Sequence, residues 1–137
     1  DNSIRTNKIK LSINLISDGM VYGFANEFSQ VVTNVIDNAK DALLSYGGAE
    51  KRIQIDIGQI DGEVRVMIFN SGSPIPPEIM DQMFLPFYTT KMLGKGSGIG
   101  LYMSKLIMEE HLKGRIQYEN VSGGVRCLIF LPAQCRE

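Results

Sequence analysis

What this 137-residue chain has little of narrows its class first. It carries two cysteines and one histidine. Cys127 sits in an apolar stretch and Cys135 in a polar tail, so no disulfide framework is indicated and a reducing, cytoplasmic setting is expected. No sign of charge dominates: 14 basic residues stand against 15 acidic ones, without a basic run. A nucleic-acid partner is therefore not implied. The apolar runs are too short to span a bilayer and no signal peptide opens the chain, so no membrane contact is expected of it. Repeats and low-complexity tracts are absent, and the length suits one domain with a single core, 1–137.

Against these absences stands one committed helix. Phe28, Val31, Val32, Val35, Ile36, Ala39 and Leu43 recur at helical spacing and form an apolar stripe. Gln30, Asn34, Asn38 and Asp41 form a second stripe, falling within roughly 80° of one another around the helix axis. A merely solvated face is normally built from Lys, Glu and Arg, which favour helix. Asn and Asp compete for backbone hydrogen bonds and weaken it. Three carboxamides and a carboxylate on one patch therefore point to a surface kept for what it binds.

A second informative stretch is Gly94-Lys95-Gly96-Ser97-Gly98-Ile99-Gly100-Leu101. Glycines at alternate positions let backbone N–H groups converge, and the helical pattern that comes next would place them at a helix N-terminus, where phosphate is favoured. The sequence lacks the Gly-Lys-Ser/Thr ending of a Walker loop, and no strand leads directly into it as the dinucleotide pattern requires. A flexible linker before a surface helix is the plain alternative.

The remaining elements are read from periodicity. Ile9, Leu11, Ile13 and Leu15 alternate with polar residues, which predicts a half-buried strand. The carboxamide helix is predicted from about Asn26 to Ser45, stopping at Gly47-Gly48. Ile53, Ile55 and Ile57 alternate again, and Asp61-Gly62 turns the chain back into Val64, Val66 and Ile68. Pro77 starts a short helix to about Met83. A third helix opens at Gly98, with Ile99, Met103, Leu106 and Ile107 expected on one side. Arg115 to Asn120 and Val125 to Leu131 pair across Ser122-Gly123-Gly124. The pattern predicts an α+β, two-layer sandwich: a mostly antiparallel sheet of about five strands, covered on one face by three helices.

Between the two informative stretches lie Asn70-Ser71-Gly72 and Phe84-Leu85-Pro86-Phe87. Taken in order, these segments resemble the ATP-binding catalytic domain of sensor histidine kinases. That domain belongs to the GHKL superfamily (Bergerat fold), with gyrase, mismatch-repair ATPases and heat-shock chaperones. Asn34-x-x-x-Asn38-Ala is similar to the family's N box and Asn70-x-Gly72 to its first glycine box. Phe84-x-Pro86-Phe87 matches the F box, and Gly94-x-Gly96-x-Gly98-x-Gly100-Leu101 the second glycine box. His111-x-x-Gly114 and Gly123-Gly124 also have counterparts. The resemblance runs from about residue 10 to Pro132.

The resemblance implies ATP and Mg²⁺ as cofactors. Asn38 stands where the family holds Mg²⁺, and a carboxamide oxygen is a suitable hard ligand. Asn34 stands where the superfamily's hydrolases carry a water-activating glutamate; an amide cannot take a proton, which suits phosphoryl transfer over hydrolysis. Asp41 would orient Asn38 or a metal-bound water, against plain solvation. Lys40 is in place to reach a phosphate, although an exposed lysine is the simpler reading. Asn70, with Gly72 and Ile75 beside it, would hold adenine. The family's residue there is Asp, so the exchange loses charge assistance of about 1 kcal/mol and should weaken, not abolish, recognition. Pro74 replaces the second glycine of that box. The segment from Phe84 to Lys95 reads as an ATP lid: Phe84 and Phe87 as apolar anchors or ordinary core, and Thr89, Thr90, Lys91 and Lys95 toward the phosphates. Lys91 joins Asn34 as a candidate catalytic residue.

The phosphoacceptor histidine of the family lies in a separate helical dimerisation domain. His111 has a sufficient reason of its own, a cation at a helix C-terminus. The chain therefore reads as a catalytic domain without its acceptor, its partners being ATP or ADP, the dimerisation domain and, through the whole kinase, a response regulator. Two rivals stay open: a degenerate domain kept for protein contact, and an ATP hydrolase or anti-sigma serine kinase of the same fold.

Overall fold

The computed structural model describes residues 10–15, 25–46, 51–85 and 100–132. Five strands, β1 (Lys10–Leu15), β2 (Arg52–Ile60), β3 (Glu63–Asn70), β4 (Arg115–Val121) and β5 (Gly124–Pro132), form one sheet in the order β1-β2-β3-β5-β4. β1 runs parallel to β2, and every other pairing is antiparallel. The β2–β3 hairpin closes on Asp61 and Gly62, both at positive φ (52° and 76°), the twist that matches two right-handed strands. The second hairpin joins β4 to β5, with Gly123 at φ 83°.

One face of the sheet builds the core. Ile53 and Ile55 of β2, Val64, Val66 and Ile68 of β3, Ile116 of β4, and Cys127, Ile129 and Leu131 of β5 are buried together. Above them lies α1 (Ala25–Tyr46), whose Val31, Val35, Ala39 and Leu43 are buried at the expected helical spacing. Phe28, Val32 and Ile36 pack beside them half-buried. Each fully buried aliphatic side chain contributes about 1.5–3 kcal/mol, so this stripe anchors α1 firmly. The short α2 (Pro77–Met80) buries no residue; its turns continue as far as Leu85 through Met83 N–H to Ile79 O and Leu85 N–H to Gln82 O. On the other face of the sheet, arginines lie over two phenylalanine rings. Arg65 and Arg115, both in register with Phe130, lie 5.8 and 4.3 Å from its ring centre, and Arg52 lies 5.0 Å from that of Phe69.

The third helix departs from expectation. α3 (Gly100–Leu106) passes directly into a π-helical segment at Ile107–His111, closed by Leu112 N–H to Ile107 O and Gly114 N–H to Met108 O. The predicted apolar side is wrong in part: Met103 and Leu106 are exposed, and the buried positions are Ser104, Ile107 and Met108. The small Ser104 lets α3 approach α1 closely, and the extra residue of the wide turn brings both Ile107 and Met108 into the core. It also carries His111 to α1, where Nδ1 stands 2.6 Å from Glu27 Oε2. Gly114 is required next, since a Cβ there would collide with the Phe130 carbonyl.

Candidate functional site

The polar stripe of α1 meets α3 and β4. Asn34 is half-buried, and its carboxamide is engaged at both ends. Nδ2 donates to Gly100 O (3.2 Å) and to Ser104 Oγ (3.1 Å), and Oδ1 accepts from Gln30 Nε2 (2.9 Å). The amide therefore ties α1 to the first turn of α3, where the glycine-rich stretch ends. Leu101 comes next, half-buried, and Gly100 sits with its Cα side toward Asn34. Asn38, one turn on, lies beside the Tyr118 hydroxyl of β4. Asp41 is half-buried further along the same side. Lys40 is not the exposed lysine of the simpler reading: its side chain is 16% exposed and pairs with Asp37 at 3.5 Å.

The second wall is the loop after β3. Asn70 is buried, and its Oδ1 accepts the Gly72 N–H at 2.9 Å. An N–H needs an acceptor, so this bond fixes which end of the amide is oxygen and turns the NH₂ the other way. A Cβ on Gly72 would stand 2.8 Å from Asn70 Oδ1, so the turn closed by Asn70 needs a residue without a side chain here, whereas its 3.5 Å from the Cβ of Ala42 on α1 would be ordinary contact. Further along, Ile75 is held by Asn120 of β4. Ile75 N–H donates to Asn120 Oδ1 (2.8 Å), and Asn120 Nδ2 donates back to Ile75 O (2.9 Å). The side-chain amide thus pairs with the loop as a strand backbone would.

Phe84 closes this side. It packs against the core and against Tyr118, with ring centres 5.9 Å apart, and Lys105 Nζ lies 5.4 Å from its ring centre. Burial raises the Tyr118 phenol well above its ordinary range, with the neighbouring Cys127 adding to the rise. Burial likewise pushes the Cys127 thiol up to about 12, partly offset by Tyr118. Both groups are protonated and neutral across the physiological range.

The fold thus brings Asn34, Asn38, Asp41, Asn70, Gly72, Ile75, Gly100 and Leu101 to the stretch between α1, the β3 loop and the start of α3. Phe87, Thr89, Thr90, Lys91, Gly94, Lys95, Gly96, Ser97, Gly98 and Ile99 lie outside the described residues. Ser104, Tyr118 and Asn120 belong to the site although the sequence motifs do not point to them. Period-two alternation through Ile116, Tyr118 and Asn120 would have placed the last two on the core face. Among the described residues no group of three or more His, Cys, Asp or Glu could hold a metal ion, and no helix is long and apolar enough to cross a membrane.

The family profile described as "Histidine kinase-, DNA gyrase B-, and HSP90-like ATPase" matches residues 23–134. The chain belongs to this ATPase family. Membership implies ATP binding. The two-component sensor PprA of Pseudomonas aeruginosa is 33% identical over 116 residues, covering 82% of this chain and 12% of PprA. The sensor histidine kinase CusS of Escherichia coli is 33% identical over 108 residues, 76% of this chain and 22% of CusS. The chain therefore spans less than a quarter of either relative. Among solved structures, the catalytic domain of histidine kinase ThkA superposes with TM-score 0.84 at 32% identity, covering 96% of this chain and 83% of that domain. A complex of ThkA with the response regulator TrrA superposes with TM-score 0.77 at 28% identity, covering 97% of this chain and 36% of the ThkA chain. The family's ATP-binding fold, a mixed sheet under helices, agrees with the topology found here.

Proposed function

We propose that this chain is the catalytic and ATP-binding domain of a two-component sensor histidine kinase, working on the cytoplasmic side. It would pass the γ-phosphoryl of ATP to a histidine on a separate dimerisation domain, from which a response regulator takes it. The observation that carries the reading is the state of Asn34. Where a hydrolase needs a proton acceptor facing water, this chain has an amide whose two N–H groups are committed to Gly100 O and Ser104 Oγ. No general base is available at that position to activate water, so ATP is held for an acceptor brought from elsewhere.

In this reading Asn70, Gly72 and Ile75 take the adenine. The second lone pair of Asn70 Oδ1 accepts the base's amino group while the first stays with Gly72 N–H. The glycine stretch and Thr89, Thr90, Lys91 and Lys95 take the phosphates. Asn38 offers one hard oxygen, and the described residues form no acidic cage, so the donor set fits a Mg²⁺ that arrives with the triphosphate rather than one held in advance. When bound, the ion neutralises phosphate charge; Asp41 lies on the same helix side to order its water shell.

The test is direct. Titration calorimetry with Mg-ADP should give saturable binding, and ATP alone should release phosphate no faster than buffer. Supplying a dimerisation domain of the same family should produce acid-labile, base-stable phosphohistidine. Steady phosphate release without acceptor would favour a hydrolase, and no heat at millimolar nucleotide would favour a protein-contact module.

A further inference from the structure

The Tyr118 hydroxyl is a feature of the site that the resemblance does not account for. Its oxygen is fully enclosed and has no hydrogen-bond partner in the structure. An enclosed phenol left unpaired is costly, and such a group in a native protein calls for a specific explanation. Two polar groups adjoin it. One is the Cys127 thiol, directly opposite across the β4–β5 pairing; the other is the Asn38 carboxamide on α1. The packing of the Tyr118 ring on Phe84 and the sheet register both hold the hydroxyl at this spot.

A carboxamide has two ends of similar shape and opposite chemistry, and only the oxygen can face a cation. Asn34 has its ends assigned by Gly100, Ser104 and Gln30, and Asn70 by Gly72. Beside Asn38 the fold sets the Tyr118 hydroxyl. We propose that Tyr118 is a positioning residue for the nucleotide site, its hydroxyl accepting from the Asn38 NH₂ and so turning the Asn38 oxygen toward the metal-bound phosphates. The hydroxyl proton then points to Cys127 Sγ, a weak acceptor, completing a chain from Asn38 N–H through Tyr118 O–H to sulfur. This inference rests on the proposed ATP-binding role of Asn38.

The test uses Tyr118→Phe, which keeps the ring and its contact with Phe84. ADP affinity is measured by calorimetry with Mg²⁺ and again with EDTA. The tightening that Mg²⁺ gives the wild type should shrink roughly three- to tenfold in the variant, the worth of one neutral hydrogen bond. Affinity in EDTA should stay within about twofold, because the base and glycine contacts are untouched. The Tm of the nucleotide-free variant should equal or exceed that of the wild type, since an unpaired buried hydroxyl is removed; this also shows that the variant folds. In an Asn38→Ala background, Tyr118→Phe should have no further effect on Mg²⁺ dependence. Two results overturn the proposal alone: a variant whose Mg²⁺ dependence equals that of the wild type, or one that loses the same factor in EDTA. A wild type that binds ADP without any response to Mg²⁺ overturns the role of Asn38 and this proposal together. A wild type that binds no nucleotide overturns the proposed function itself.

Discussion

Replacing Asn34 by Asp changes one NH₂ to an oxygen at almost constant volume, and three hydrogen bonds are at stake. Gln30 Nε2 continues to donate to the remaining oxygen, now with charge assistance. Ser104 can rotate its hydroxyl and donate where it previously accepted. Gly100 O has no such freedom: it is a backbone carbonyl 3.2 Å from the atom that has become a carboxylate oxygen. One donor is lost and two oxygens are left facing each other in a half-buried contact, at about 1–3 kcal/mol. For a chain of this length each kcal/mol moves Tm by about 3–4 °C, so the variant should melt about 3–12 °C below the wild type at about pH 7.5.

The pH dependence distinguishes this account from a general loss of fit. Beside Gly100 O the introduced carboxyl should titrate above its unfolded value of about 3.9. The folded state therefore keeps the proton longer than the unfolded one. Below the unfolded value the protonated acid can donate to Gly100 O, and the deficit nearly closes. As pH rises past it, the unfolded state ionises first and the deficit grows to its full size. Thermal melts monitored by circular dichroism at about pH 4 and about pH 7.5, with the wild type run beside the variant, measure this. An Asn34→Asp variant as stable as the wild type near neutral pH, or a deficit equal at both pH values, would refute the claim that Asn34 holds α1 to α3 through its NH₂.

Gly72→Ala places a Cβ 2.8 Å from Asn70 Oδ1, so it should break the turn and weaken ADP binding by roughly tenfold or more in calorimetry. Asn120→Ala removes both bonds to Ile75 and should weaken ADP binding by roughly tenfold. Asn120→Asp keeps the acceptor for Ile75 N–H, loses the donor to Ile75 O, and should fall between Asn120→Ala and the wild type. Cys127 has a raised folded pKa, so its contribution to stability is complete below the ordinary thiol value of 9.0 and is lost as pH climbs toward about 12. Urea unfolding between about pH 8 and about pH 11 should show this decline, and Cys127→Ala should flatten it. In folded protein at about pH 8, alkylation mapped by mass spectrometry should spare Cys127.

The parts legible in the sequence are those governed by short-range periodicity. Both faces of α1 can be read because 3.6-residue spacing separates Val31, Val35, Ala39 and Leu43 from Asn34, Asn38 and Asp41. The β2–β3 hairpin can be read because Asp61-Gly62 can adopt the two positive φ angles its turn requires. The orientation of α3 cannot. Met103 and Leu106 are the more apolar residues, yet they face outward and Ser104 faces inward. What decides this is a polar contact with Asn34, 70 residues away, and a π-helical turn that no local pattern announces. Tyr118 and Asn120 escape a reading of the sequence for the same reason. Each adjoins a segment more than 40 residues distant, and the alternation within β4 gives their face but not what they meet there.

The contacts of the site share a chemistry, and it bears on why the site uses amides. A carboxylate accepts only, and near a triphosphate it repels its ligand. A carboxamide donates and accepts, carries no net charge, and can grip a backbone group with one end while presenting the other. Asn34 grips Gly100, Asn70 grips Gly72 and Asn120 grips Ile75, so the start of α3 and two points of the loop after β3 are fixed by neutral side chains at distances of 2.8 to 3.2 Å. The weakness of the amide is that it can be placed either way round, and each of these three has a backbone partner that settles the choice. Asn38, whose oxygen matters most if a cation is to be met, has a phenol instead. That makes Tyr118 the place where the frame of this domain and its ligand chemistry meet.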